Sequence, residues 1–337
     1  MAEAEERAVF GRIGVVGGGA WGTALAAAVL RAGRSVLLWA REPDVVDAIN
    51  NRNENTRFLP GIALAPALHA TVRLGEVAAA DVVLLVAPAQ HMRAVCRDLA
   101  PALRPGVPLV ICAKGMEIGS SAMMTEAVAA GAPGAPLAVL SGPTFAAEVA
   151  RGLPTAVTLA CADSALGSRL VAALGSARFR PYLSDDMIGA QVGGAVKNVL
   201  AIACGVVEGR CFGDNARAAL ITRGLAEIVR LGVALGGRAD TLMGLSGLGD
   251  LALTCSGRQS RNMSLGIALG EGRALADILG ERQSVAEGVH SAAAVVALAA
   301  RLGIEMPICA AVDAILNRGG AIDATIDGLL ARPFRGE

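Results

Sequence analysis

The sequence predicts an α/β chain in two parts: a doubly wound, parallel sheet domain over residues 1–187, then an all-helical domain over 188–337. Three observations predict this. Apolar, strand-like runs alternate with helical stretches in the first part. A glycine-rich turn joins the first strand directly to a helix. From about Ser184 onward strand signals stop, and Ala, Leu, Val and Ile recur with helical period to the end. A chain of 337 residues also exceeds what one core normally serves.

The strand-like runs are 13–16, 36–39, 81–87, 109–113, 137–140, 156–160 and 178–182. Between the first two, Gly17, Gly19 and Gly22 fit G-x-G-x-x-G: one for the tight turn, one for close approach of a pyrophosphate, one for helix–strand packing. Phosphates would sit at the helix amino terminus, where free backbone NH groups point outward. The pattern is weak alone in a chain of 42 glycines, and gains force from the strand at 36–39, spaced as a strand-helix-strand unit requires. The first domain is therefore read as Rossmann-like. After the second strand the order is Trp39-Ala-Arg-Glu42. Arg41 suits a 2′-phosphate and favours NADP(H), while Glu42 could turn inward and accept NAD(H).

Of 30 basic residues only Lys114 and Lys197 are lysines. An amine that must surrender a proton near neutral pH cannot be an always-charged guanidinium, so these two are the first places to look for chemistry. Lys197 is the one charged residue between Met187 and Val207. That stretch reads as a buried helix, in which desolvation disfavours the charged amine and makes it a usable acid or base. The alternative is pairing with a buried carboxylate. Lys114 follows the 109–113 strand, and the small-residue loop Ser141-Gly-Pro-Thr144 follows the next. Ligands of such sheets bind at these carboxyl ends.

Composition excludes several classes. A net charge of zero, 54% hydrophobic and 3% aromatic residues leave no footprint for nucleic acid. Seven scattered cysteines without C-x-x-C point to neither a disulfide framework nor a zinc site, so no metal is expected and the cytoplasm is the natural compartment. The amino terminus is short and acidic, unlike a signal peptide, and no membrane insertion is expected. The apolar carboxy-terminal helices could pack within one chain or across a homodimer.

Taken together, Gly17-Gly-Gly-Ala-Trp-Gly-Thr-Ala-Leu25, Asn55-Thr-Arg-Phe-Leu-Pro-Gly61, Ala113-Lys-Gly115, Leu140-Ser-Gly-Pro-Thr-Phe-Ala146, Gly194-Ala-Val-Lys-Asn-Val199, Gly247-Leu-Gly-Asp-Leu251, Ser260-Arg-Asn262 and Val285-Ala-Glu-Gly288 resemble the bacterial-type NAD(P)-dependent glycerol-3-phosphate dehydrogenases. The resemblance runs in order along nearly the whole chain. It implies reversible reduction of dihydroxyacetone phosphate, a small phosphate substrate, to sn-glycerol 3-phosphate for glycerophospholipid synthesis. It also implies Lys197 as the general acid/base and Lys114 as a substrate and cofactor contact. Further substrate contacts implied are Gly142, Thr144, Asp250, Ser260, Arg261 and Asn262. Cofactor contacts implied are Ala20, Trp21, Arg41, Phe58, Ala146, Arg261, Val285 and Glu287. Read from the residues alone, Asp250 could be a helix cap, and Phe58 could simply pack its loop. Ser260, Arg261 and Asn262 offer a hydroxyl, a guanidinium fork and an amide in succession as a phosphate grip, which Arg258 could join unless it is simply solvated.

Two other readings stand beside this one. A 3-hydroxyacid dehydrogenase of the same architecture typically carries an asparagine four residues after its lysine, where this chain has Ala201. A non-catalytic NADP(H) sensor predicts decay of Lys197, Asp250 and the 260–262 cluster, all of which are present.

Overall fold

A computed structural model describes residues 10–257, 259–281 and 287–333. The chain divides into two compact units. The first holds residues up to Lys114 together with Met123–Ala190, and the second holds Gly115–Ala122 with everything from Gln191 onward.

The first unit is built on ten strands: β1 (Arg12–Val16), β2 (Ser35–Trp39), β3 (Glu54–Asn55), β4 (Leu59–Ala63), β5 (His69–Thr71), β6 (Val82–Leu85), β7 (Leu109–Ile111), β8 (Leu137–Ser141), β9 (Thr155–Ala160) and β10 (Phe179–Ser184). Eight of them form one sheet in the order β10-β9-β8-β7-β6-β1-β2-β5, and β3 pairs with β4 in a separate ladder. The helices are α1 (Ala20–Arg31), α2 (Pro43–Arg52), α3 (Leu74–Val77), α4 (Met92–Leu99), α5 (Met124–Gly131), α6 (Ala146–Ala150) and α7 (Ser164–Leu174). Strands such as β6 (Val-Val-Leu-Leu) are apolar on both faces because helices cover both sides of the sheet. One core takes Ile13, Val15, Leu38 and Leu84. The other takes Val16, Leu85, Ile111 and Val139, the alternate residues of the same strands.

The expectation of an all-parallel sheet needs correction at one edge. Pairing is parallel from β5 through to β8, but β9 runs antiparallel to β8, and β10 is parallel to β9. The connection from Ser141 to Thr155 folds back rather than crossing over. Its short helix α6 is held against α1 by the Arg31 guanidinium, which donates to the Val149 carbonyl and to that of Ala150 at 3.0 Å. Strand β5 and the β3/β4 ladder are additions to the expected set.

The second unit is helical: α8 (Met187–Gly209, its first turn in the first unit), α9 (Gly213–Ala234), α10 (Ala239–Met243), α11 (Asp250–Ser256), α12 (Arg261–Gly270), α13 (Leu275–Gly280), α14 (Glu287–Arg301), α15 (Pro307–Asn317) and α16 (Ile322–Leu330). A π-helical turn, Leu245–Gly249, leads into α11. Among the described residues α8 is the one helix long and apolar enough to cross a membrane, and 94% of its most apolar window is buried inside the protein. The buried carboxylate of Glu227 on α9 caps α15 by accepting from the Ile308 amide at 2.7 Å and the Cys309 amide at 3.1 Å.

Candidate active site

In the first unit the strand order reverses between β1 and β6, both of which flank the turn that follows β1. Gly17, at φ +128°, fills this switch point: a Cβ there would lie 2.8 Å from the Val86 carbonyl carbon. A Cβ at Gly22 would lie 1.8 Å from the Gly17 oxygen, whereas one at Gly19 would meet nothing within 4 Å. The turn is thus closed on the protein side and open at Gly19, where α1 begins with unpaired first-turn amides. That is the shape a dinucleotide pyrophosphate needs, so the residues fit the cofactor that the motif implies. Ala20 and Trp21 open α1, and the Trp21 indole nitrogen is buried without a hydrogen-bond partner.

Two residues bracing this turn, Gly18 and Asn55, carry no assigned role in the motifs that contain them. Gly18 packs on Ala40, where a Cβ would come within 2.3 Å of the alanine methyl. Asn55 is fully buried and donates to the Gly18 carbonyl and the Thr23 hydroxyl, both at 2.8 Å, while its own oxygen accepts from the Phe58 amide at 3.1 Å. Phe58 is half-buried and packs against the core, with the Arg57 guanidinium 5.2 Å from its ring centre. Arg41 is exposed and pairs with Glu42 at 2.9 Å, so the two candidate ribose-side residues meet each other.

At the carboxyl end of the sheet, the Lys114 amine donates to the Gly142 carbonyl at 3.0 Å, and the Thr144 hydroxyl reaches the same oxygen at 3.3 Å. Gly142 adopts φ +156°, and a Cβ there would meet the Val157 backbone at 2.9 Å. Ala146, two residues after Thr144, begins α6. The strand–loop geometry therefore gathers Lys114, Gly142 and Thr144 in one place.

In the second unit Lys197 is 6% exposed on α8. Its amine donates to Asp250 Oδ1 at 2.6 Å and to the Thr254 hydroxyl at 2.8 Å. Thr254 in turn donates to the Asp250 carbonyl at 2.6 Å, the next turn of α11. Asp250 is buried and spends Oδ1 on the lysine; its helix has no side-chain cap. The two readings of Lys197 meet here, because the buried amine, placed as an acid or base would be, also has its buried carboxylate. Thr254, four residues after Asp250 on the same helix face, is a member of the cluster that the sequence reading missed. Behind it Cys255 is buried, and its thiol is pushed well up by the neighbouring Cys204 thiol and by burial.

Ser260, Arg261 and Asn262 separate into different duties. Ser260 caps α12, its hydroxyl accepting from the Met263 amide at 3.2 Å. Arg261 is exposed at the first position of that helix. Asn262 is buried and donates to the Asn198 side-chain oxygen at 3.0 Å while accepting from the Gly288 amide at 3.0 Å. Asn198 also reaches Glu287 at 3.5 Å. The residue next to Lys197 is thereby tied to α12 and to the start of α14. Val285 and Arg258 lie outside the described residues.

Residues 12–167 match the family model for the NAD-dependent glycerol-3-phosphate dehydrogenase N-terminus, and residues 186–327 match that for its C-terminus. The chain belongs to this dehydrogenase family. It is 63% identical over 331 residues to the glycerol-3-phosphate dehydrogenase (NAD(P)+) of Rhodospirillum rubrum, covering 98% of this chain and 95% of that one. Identity to the enzyme of the same name from Parvibaculum lavamentivorans is 60% over 326 residues, covering 97% and 98%. Among solved structures, a glycerol-3-phosphate dehydrogenase from Coxiella burnetii superposes with a TM-score of 0.92 at 40% identity, covering 96% of this chain and all of that one. Family membership thus agrees with the two clusters: a dinucleotide turn in one unit and a buried lysine–carboxylate pair in the other.

Proposed function

We propose that this chain is an NAD(P)-dependent oxidoreductase that interconverts dihydroxyacetone phosphate and sn-glycerol 3-phosphate, supplying the latter for glycerophospholipid synthesis. The observation that carries the assignment of residues is the buried Lys197–Asp250–Thr254 cluster. The nicotinamide, when bound, supplies or accepts the hydride. Every other step falls to side chains. Lys197 gives a proton to the substrate oxygen during reduction and takes it back in the oxidative direction. Asp250 and Thr254 hold the amine in one orientation and balance its charge, so that the donor is positioned before the substrate arrives. Lys114, fixed on the Gly142 carbonyl, adds positive charge beside Gly142 and Thr144 for the substrate oxygens.

Ser260, Arg261 and Asn262 form the phosphate grip in this reading, with Arg261 supplying the guanidinium fork and Asn262 setting the position of Asn198 and Glu287. The cofactor set is Gly17, Gly19, Ala20, Trp21, Gly22, Arg41, Phe58, Lys114, Ala146, Arg261, Val285 and Glu287. NADP(H) is the favoured cofactor because Arg41 presents a guanidinium at the end of β2, and NAD(H) is accommodated through Glu42. The proposed functional division is a nucleotide domain over 1–187 and a substrate domain over 188–337. A cytoplasmic enzyme without membrane insertion is part of the same proposal. So is a homodimer, supported by the exposed apolar side chains of Phe212, Val233 and Met243.

The test is NADPH oxidation driven by dihydroxyacetone phosphate, with NADH in parallel and Lys197→Ala as control. Turnover that collapses in a variant still able to bind NADPH supports reaction and residue together. Absence of turnover in the parent protein rejects the reaction, and a variant retaining activity within about ten-fold rejects the lysine's role.

A further inference from the structure

We propose that the amino-terminal edge of the first unit's sheet carries a second anion site, in which the guanidiniums of Arg104 and Arg169 grip a phosphate-type dianion. The edge is the one remote from the glycine turn: Arg12 begins β1, whereas Gly17 follows the opposite end of that strand. A cavity of about 420 Å³ opens there, lined by Phe10, Asp81, Arg104, Gly106 and Arg169 among others.

The two arginines come from separate elements and differ in how much of their donor capacity the protein uses. Arg104, in the loop before β7, spends Nη2 on the Ala80 carbonyl at 2.9 Å and on Asp81 Oδ1 at 3.3 Å. Its Nε and Nη1 have no partner among the described residues. Arg169, on α7, lies with its guanidinium carbon 4.2 Å from the centre of the Phe10 ring. It makes no ion pair or hydrogen bond with any described residue, and its Nε is buried without a partner. The ring holds the guanidinium plane in place without neutralising it.

Among the described residues Asp81 is the one carboxylate on the cavity wall, and the protein already occupies it. Its Oδ2 accepts from the Gly11 amide at 3.1 Å and the Arg12 amide at 3.0 Å, and Oδ1 accepts from Arg104. Those donors, the Arg12 amide foremost, hold its carboxyl below the ordinary range, so it stays ionised and leaves two guanidiniums against a single negative charge. Arg169 is half-buried and Arg104 largely exposed, and their spare guanidinium donors are matched by the oxygens of a phosphate. The shared chemistry covers inorganic phosphate and a phosphate monoester.

The full-length protein is first saturated with NADH, which carries no phosphate monoester, and phosphate bound at the dehydrogenase site is scored separately by its competition with dihydroxyacetone phosphate in the kinetic assay. Inorganic phosphate and, separately, glycerol 2-phosphate are then titrated by calorimetry at constant ionic strength. Saturable binding is expected, and the tighter of the two ligands identifies the source. Arg104→Ala with Arg169→Ala should weaken that binding by about ten-fold or more, with kcat/KM for dihydroxyacetone phosphate unchanged. Arg169→Ala alone breaks no hydrogen bond of the fold and should weaken it too, which separates loss of the site from loss of structure. No saturable binding in the NADH-saturated parent protein, or equal binding in the Arg169→Ala variant, overturns the proposal.

Discussion

Replacing Asn55 by alanine should loosen the dinucleotide turn without touching the cofactor's own contacts. The buried side chain makes three hydrogen bonds, to the Gly18 carbonyl, the Thr23 hydroxyl and the Phe58 amide. Thr23 can rotate its hydroxyl, but the carbonyl and the amide are left unpaired, and each buried orphan costs about 1–3 kcal/mol. The loss is therefore about 4 kcal/mol, which for a unit of this size lowers Tm by roughly 10 °C. A loop no longer braced must be ordered by the cofactor itself. If about 1.4 kcal/mol of that loss is drawn from binding, the Kd for NADPH rises about ten-fold. Fluorescence titration with NADPH and thermal melting of the same samples measure both, while KM for dihydroxyacetone phosphate at saturating NADPH should hold. Asn55→Asp keeps an acceptor for the Phe58 amide but sets a buried carboxylate oxygen against the Gly18 carbonyl, and should be no more stable than the alanine variant. A melting point within about 2 °C of the parent, together with a Kd within two-fold, would refute the bracing role.

Thr254→Val is nearly isosteric and removes the hydroxyl that accepts from Lys197. A lost hydrogen bond to a charged group predicts a fall in kcat of about ten- to hundred-fold with KM little changed, read from steady-state kinetics. Arg41→Ala should raise the KM for NADPH and spare that for NADH, because the exposed guanidinium has only Glu42 to hold it; equal effects on both cofactors would show that it does not read the 2′-phosphate. Burial, partly offset by the Ile308 and Cys309 amides, pushes the Glu227 carboxyl above its ordinary value. A raised carboxyl pKa favours the folded state below the unfolded pKa, and that advantage is lost as pH rises through the folded value. The Tm of the parent relative to Glu227→Gln should accordingly drop as pH increases from about 4 through the raised value, and a difference that grows instead would reverse the assignment.

How much was legible beforehand depends on the range over which each constraint acts. Gly17, Gly19 and Gly22 are readable because the turn that needs them spans six residues. Gly18 is not, since what forbids a side chain there is Ala40, on the far side of β2. Lys197 stood out through the absence of other charges around it. Its contact with Asp250 spans a sequence separation of 53, so the pairing becomes visible only once α8 and α11 pack. Asn262 reads as a phosphate ligand by type, and its second duty, tying Asn198 to the Gly288 amide, shows only in the fold. Apolar periodicity located β9 and β10 but carries no direction, and the reversal at β8 had to come from the folded connection. Three-residue β5 is too short to announce itself by alternation.

The assignment of Gly115–Ala122 to the helical unit has a consequence for how such a chain can be cut and recombined. The backbone passes from one unit to the other after Lys114, after Ala122 and after Ala190. A shuffling event that exchanged everything beyond residue 190 would leave an eight-residue piece of the old helical unit behind, facing a foreign partner. The two halves therefore do not inherit as independent modules, and a transplant of either must carry three junctions with it.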